Sequence, residues 1–147
     1  MTHGPHALLE QLWRSPTIRA MDHDGEMQRL LRAARASTYV PVLLESPFSG
    51  APPEYVHDCI RDCLERGEAP IASHVLYTQA LDDTVPEQRR WGILAGFSIR
   101  WLTARTVVYT DLGISGGMQE GIEHAKGIEH EIEYRSLAEW CTGRADQ

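Results

Sequence analysis

The chain has 147 residues, 42% of them hydrophobic and 24% charged, which is the length and composition of one soluble domain able to bury its own core. Its formal net charge of −7 and the lack of a basic stripe exclude non-specific binding of polymeric nucleic acid but leave room for a pocket holding one nucleotide. No apolar run approaches the roughly 20 residues of a membrane helix, and Met1 to Pro5 lead into no signal-type segment, so a cytoplasmic protein without a membrane partner is expected.

Residues 1–38 show helical periodicity over Pro5 to Arg14 and Gly25 to Ala36, with Pro16 and Gly25 as breakers. They are expected to form an N-terminal helical extension that packs on the domain edge or serves an oligomer contact. Tyr39 to Leu44 reads as the first strand, and the small polar loop Glu45 to Gly50 follows it. Pro52 and Pro53 introduce a helix over Glu54 to Arg66, with Val56, Ile60, Cys63 and Leu64 on its apolar face and Gly67 closing it. Ala69 to Ala72 is a short second strand ending at Ser73-His74, with a turn or short helix through Tyr77 and Leu81. Asp82-Asp83-Thr84 is expected to cap a long helix from Pro86 to about Ala104.

The β-branched run Thr106 to Tyr109 reads as a buried third strand, broken by Asp111-Leu112-Gly113. Beyond Ser115-Gly116-Gly117, the residues Met118, Ile122 and Ala125 recur at helical spacing. The loop therefore delivers the chain into a helix N-terminus, whose free N–H groups suit a phosphate or carboxylate. A fourth strand follows at about Glu131 to Tyr134, and the tail from Thr142 reads as frayed. Alternating strands and helices give an α/β class: a Rossmann-like (flavodoxin-like) parallel sheet of about four to five strands with helices on both faces, over residues 39–141. Ligands of such sheets bind beyond the strand C-termini, where the loops Ser46 to Gly50, Ser73 to Asp83 and Asp111 to Met118 gather.

Several motifs narrow the chemistry. Gly113-Ile114-Ser115-Gly116-Gly117 has the GxSxG pattern of a nucleophile elbow, but His124 and His130 follow without a separate acid-bearing strand, so Ser115 reads as a helix-start or phosphate-contacting hydroxyl. A Walker loop needs a Gly-Lys-Ser/Thr ending, and the single lysine is Lys126. The dinucleotide fingerprint fails where Ser46 to Gly50 stands after the first strand. Cys59, Cys63 and Cys141 make an odd count, which reads as reduced thiols. Cys59 and Cys63 share a helix face, yet no nearby Cys or His set completes a tetrahedral shell. They read as packed apolar residues, and no metal or cofactor is expected. His74, at a strand end, is a candidate contact. Asp82 and Asp83 read first as caps and second as ribose acceptors, while Glu120 and Glu123 suit the helix dipole or, more sharply, a ligand.

The carrying residues of a family resemblance lie in these loops: Ser46-Pro47-Phe48-Ser49-Gly50, Ala72-Ser73-His74, Leu81-Asp82-Asp83-Thr84, Tyr109 to Ser115 with Gly117-Met118, Ile122-Glu123-His124-Ala125 and Ile132-Glu133-Tyr134-Arg135. Over about Tyr39 to Leu137 the chain resembles the nucleoside 2-deoxyribosyltransferase-like superfamily, and more closely a group of short uncharacterised proteins of bacteria and their phages. The resemblance implies a flavodoxin-like domain that commonly oligomerises and binds a nucleoside or nucleotide. In catalytic members a glutamate in the helix after the glycine loop attacks, or stabilises charge at, the anomeric carbon of an N-glycoside, without a metal. Two departures stand out: the usual glutamate position falls on Gly121, and the long helix holds no aspartate to orient a nucleophile.

The expected function is a nucleoside- or nucleotide-binding domain that cleaves or transfers an N-glycosidic bond. Glu120 is the candidate nucleophile, Glu123 the runner-up and Asp111 an orienting group. The ligand contacts expected are Ser46, Pro47, Phe48, Ser49, Gly50, His74, Asp83, Gly113, Ser115, Gly116, Gly117 and Met118. The alternatives are a non-catalytic nucleotide sensor or sequestering protein, and an interaction protein whose Trp13, Trp91, Trp101 and Trp140 build a homo-oligomer surface.

Overall fold

The computed structural model describes residues 12–21, 25–26, 28–29 and 39–141. Most of the two N-terminal helices expected from periodicity, and the tail from Thr142, lie outside the described residues. Within them, helix α1 covers Pro16–Met21. Leu12 and Trp13 are helical, the chain turns at Arg14, and Pro16 then opens α1, where a first-turn N–H has no intrahelical partner to lose.

Four strands, β1 (Val40–Glu45), β2 (Glu68–Ile71), β3 (Arg105–Tyr109) and β4 (Ile132–Arg135), form one sheet in the order β2-β1-β3-β4. All three pairings are parallel. The expected Rossmann-like parallel sheet is thus present, with four strands. Helix α2 (Pro53–Glu65) links β1 to β2, and α3 (Ser73–Thr78) with α4 (Pro86–Ile99) and a 3₁₀ turn (Arg100–Leu102) links β2 to β3. Helix α5 (Gly116–Gly127) links β3 to β4, and α6 (Ala138–Cys141) follows. The winding reverses between β1 and β3. The carboxyl ends of those two neighbours therefore diverge to opposite helices and open a crevice.

Strand parity sorts the core into two layers. Val42, Leu44, Val107 and Tyr109 face α2 and pack with its Tyr55, Val56, Cys59 and Cys63. On the other face Val108 packs with Met118 and Ile122 of α5. Cys59 and Cys63 are buried members of the first layer, where burial pushes the Cys63 thiol up to about 11. At the edge of that layer Arg135 donates to both Glu68 oxygens, at 2.6 and 2.7 Å, and Arg105 donates to Glu68 Oε1 at 2.6 Å.

One expected cap is displaced. The N-cap of α4 is Val85, with no side-chain hydrogen bond, while Asp82 Oδ1 accepts from the Thr84 N–H and hydroxyl at 2.9 and 2.6 Å. A short polar side chain bonding its own backbone two residues on makes a turn before the helix rather than a cap. Helix α4 itself packs on α3 through glycines: a β-carbon on Gly96 would meet Ser73 Oγ at 2.8 Å. Among the described residues no helix is long and apolar enough to cross a membrane.

Candidate functional site

At the crevice lies a cavity of about 200 Å3. The loop after β1 supplies Ser46, Phe48 and Ser49, α3 supplies Ser73, His74, Tyr77 and Thr78, and the turn before α4 supplies Asp83. Helix α4 lines it with Arg89, Gly92, Ile93, Gly96 and Phe97, and the start of α5 with Ser115, Gly116, Gly117, Met118 and Gly121. Of the expected ligand contacts, Ser46, Phe48, Ser49, His74, Asp83, Ser115, Gly116, Gly117 and Met118 are brought together here; Pro47, Gly50 and Gly113 are not on its wall.

Ser115 is the N-cap of α5 and accepts from the Met118 N–H at 3.3 Å, so the helix opens in the crevice with the backbone of Gly116 and Gly117 at its edge. Gly113 takes φ +83, a conformation that glycine adopts without the β-carbon clash of other residues, and turns the loop toward that helix start. Beside the helix, Arg89 donates to Asp83 at 2.9 Å. His74 Nε2 lies 2.9 Å from Ser46 Oγ, and its ring meets Phe48 edge-on with centroids 6.1 Å apart. Burial drives His74 down to about 4, so the ring is neutral at physiological pH. Its buried Nδ1 has no hydrogen-bond partner.

The three expected catalytic carboxylates lie elsewhere. Glu120 is exposed and accepts from Arg90 at 3.1 Å, and Glu123 accepts from Gln119 Nε2 at 3.0 Å on the outer side of α5. Asp111 faces α2: it accepts from the Tyr55 hydroxyl at 2.8 Å and from the Leu137 N–H at 3.0 Å, clasping the C-terminal segment to the sheet. None of the three lines the cavity.

The carboxyl at the cavity floor is Glu45, which the sequence reads as the first residue of the loop and the structure makes the last residue of β1. It pairs in register with Val108, and its Oε1 accepts from Arg100 Nη2 at 2.9 Å. Arg100 is itself fully buried, donates to His124 Nδ1 and lies with its guanidinium carbon 5.6 Å from the Phe97 ring centre. His124 stacks on Phe97 with centroids 4.0 Å apart. Burial pushes Glu45 up to about 7 against the opposing pull of Arg100. Strand parity was the available signal: Val42 and Leu44 face α2, so Leu43 and Glu45 face α5.

A parallel α/β sheet with a crevice at its switch point defines the class of this protein. The particular family is given by residues 40–135, which match a domain of unknown function (DUF7768), and the chain belongs to that family. The match runs from the first residue of β1 to the last of β4, so the family unit is the sheet with its crossing helices. No curated protein and no solved structure matches the chain.

Proposed function

We propose that the domain binds a nucleoside or nucleotide in the crevice and cleaves or transfers its N-glycosidic bond. The observation that carries this reading is the composition of the cavity wall. Phe48, Tyr77 and Phe97 offer flat apolar surface for a base. Ser46, Ser49, Ser73 and Asp83 offer the hydroxyls and carboxylate that sugar hydroxyls pair with, and the first turn of α5 with Arg89 suits a phosphate. A volume of about 200 Å3 favours one nucleoside unit over a dinucleotide. The free thiols Cys59, Cys63 and Cys141 support a reducing, cytoplasmic setting.

Calorimetry with nucleosides, 5′-monophosphates and NAD tests binding. Phe48→Ala and His74→Ala are expected to weaken it about tenfold or more while the far-ultraviolet circular dichroism stays unchanged. Equal affinity in both variants would place the ligand outside this cavity.

Self-association is a second reading, favoured by Trp91, Leu94 and Trp101, which stand exposed on the outer side of α4 and the turn after it. Light scattering should show a homo-oligomer that Trp91→Glu with Trp101→Glu dissociates; a monomeric wild type would remove this reading.

A further inference from the structure

The chemistry of the cavity rests on a residue outside the loop motifs. Glu45 and Gly121 both line the cavity, on opposing elements. A β-carbon built on Gly121 would overlap Glu45 Oε1 and stand 2.8 Å from its Cδ, so the carboxyl occupies the very space that a side chain at position 121 would fill. The glycine is what admits it there. Arg100 anchors Oε1 from behind, and buried Arg100 is held in turn by His124. A carboxyl fixed on one side by a buried cation and open on the other to a ligand cavity is placed to exchange a proton with what the cavity holds.

We propose that Glu45 is the acid–base group of this site, protonating the leaving nitrogen of a bound N-glycoside and recovering the proton from water. The inference rests on the nucleoside reading above. As the glycosidic C–N bond breaks, its electron pair stays with the base nitrogen, which takes the Glu45 proton. A water oxygen then bonds to the anomeric carbon, and the proton that it sheds returns to the Glu45 carboxylate. The sum is N-glycoside plus water giving sugar plus base. Burial keeps Glu45 partly protonated near pH 7, as a group serving both directions requires. The other titratable and charged groups around it are Arg100 on the 3₁₀ turn, His124 on α5, neutral His74 on α3, and Arg89 with Asp83 at the rim.

The test compares wild type, Glu45→Gln and Glu45→Asp, using free-base release from nucleosides and 5′-monophosphates, ligand-induced thermal shift, and carbon-13 NMR titration of glutamate carboxyls in the ligand-free protein. Glu45→Gln should keep the thermal shift and lose about 100-fold or more in base release, with Glu45→Asp between. One carboxyl signal, missing from Glu45→Gln, should titrate near pH 7 in wild type. A Glu45 signal titrating in the ordinary carboxylate range overturns the inference whatever ligand is present, and its loss from Glu45→Asp assigns it if Glu45→Gln fails to fold. Wild type that binds a nucleoside but returns it intact also overturns it and leaves the binding reading standing. Loss of release on Glu120→Gln with full release by Glu45→Gln moves the role to the outer side of α5. A panel in which nothing shifts the melting temperature overturns both readings.

Discussion

Replacing Gly121 by alanine should destabilise this protein, although in an exposed helix interior the same change stabilises by about 1 kcal/mol. The position is in α5 and buried, and the new methyl group would overlap the Glu45 carboxyl. That carboxyl cannot simply rotate away at no expense, because it is the partner of Arg100, which is fully buried. Overpacking a core costs about 1–3 kcal/mol, and removing one member of a buried ion pair about 3–5 kcal/mol. Set against the helix-propensity gain, the net loss is about 2–4 kcal/mol, or about 5–15 °C in Tm for a domain of this size. Urea denaturation followed by tryptophan fluorescence measures it. In a Glu45→Ala background the space is empty, and Gly121→Ala should become neutral or stabilising, giving a coupling of about 2 kcal/mol or more in the double-mutant cycle. A stabilising Gly121→Ala in wild type, or simple additivity in the cycle, would refute the placement of the Glu45 carboxyl.

Three further outcomes follow from the same geometry. The folded-state value of Glu45, about 7, lies above the ordinary 4.5, so the folded protein holds that proton more tightly than the unfolded chain. Stability from this group is therefore full below pH 4.5 and declines as the pH rises through 7, by about 3 kcal/mol in total, and Glu45→Gln should flatten that stretch of the stability–pH curve. Glu68 has the opposite sign: burial raises its value, but the hydrogen bonds and charge of Arg135, with the charge of Arg105, hold it below the usual carboxylate range. Its contribution is present above pH 4.5 and lost as the pH falls through the folded value; Glu68→Gln should lower stability at pH 7 by about 3 kcal/mol and weaken the acid-side dependence seen in denaturation curves. Asp111→Ala leaves the Tyr55 hydroxyl and Leu137 N–H without their acceptor, a loss of about 2–4 kcal/mol. Because Trp140 packs on Tyr55 at 5.0 Å between centroids, the variant should also show red-shifted tryptophan emission; unchanged emission and stability would remove Asp111 from its clasp role.

The sheet was legible because its signals are local. A β-branched run such as Thr106 to Tyr109 can be buried on both faces, and the breakers around it fix its ends within a residue or two. The loops that line the cavity were legible for the same reason, since strand ends dictate where they meet. What escaped was the direction of individual side chains. Asp111 sits two residues beyond Tyr109, and parity carries it to the α2 face, away from the crevice. Glu120 and Glu123 flank Gly121 and Ile122, which are buried on the inner side of α5. A rotation of about 100° per residue sets both glutamates on the outside. Glu45 escaped because a glutamate beside a polar loop reads as solvated; its burial depends on Arg100, 55 residues away in sequence. Composition gives no sign of that pairing.

The most direct single measurement is incubation of the purified protein with nucleosides, 5′-monophosphates and NAD, with free base followed by chromatography and melting temperature read in parallel. A mononucleoside or its monophosphate should raise the melting temperature and release base. Stabilisation with every ligand recovered intact would mark a sensor or sequestering protein, and no stabilisation by any member would contradict the assignment of this cavity to a nucleoside.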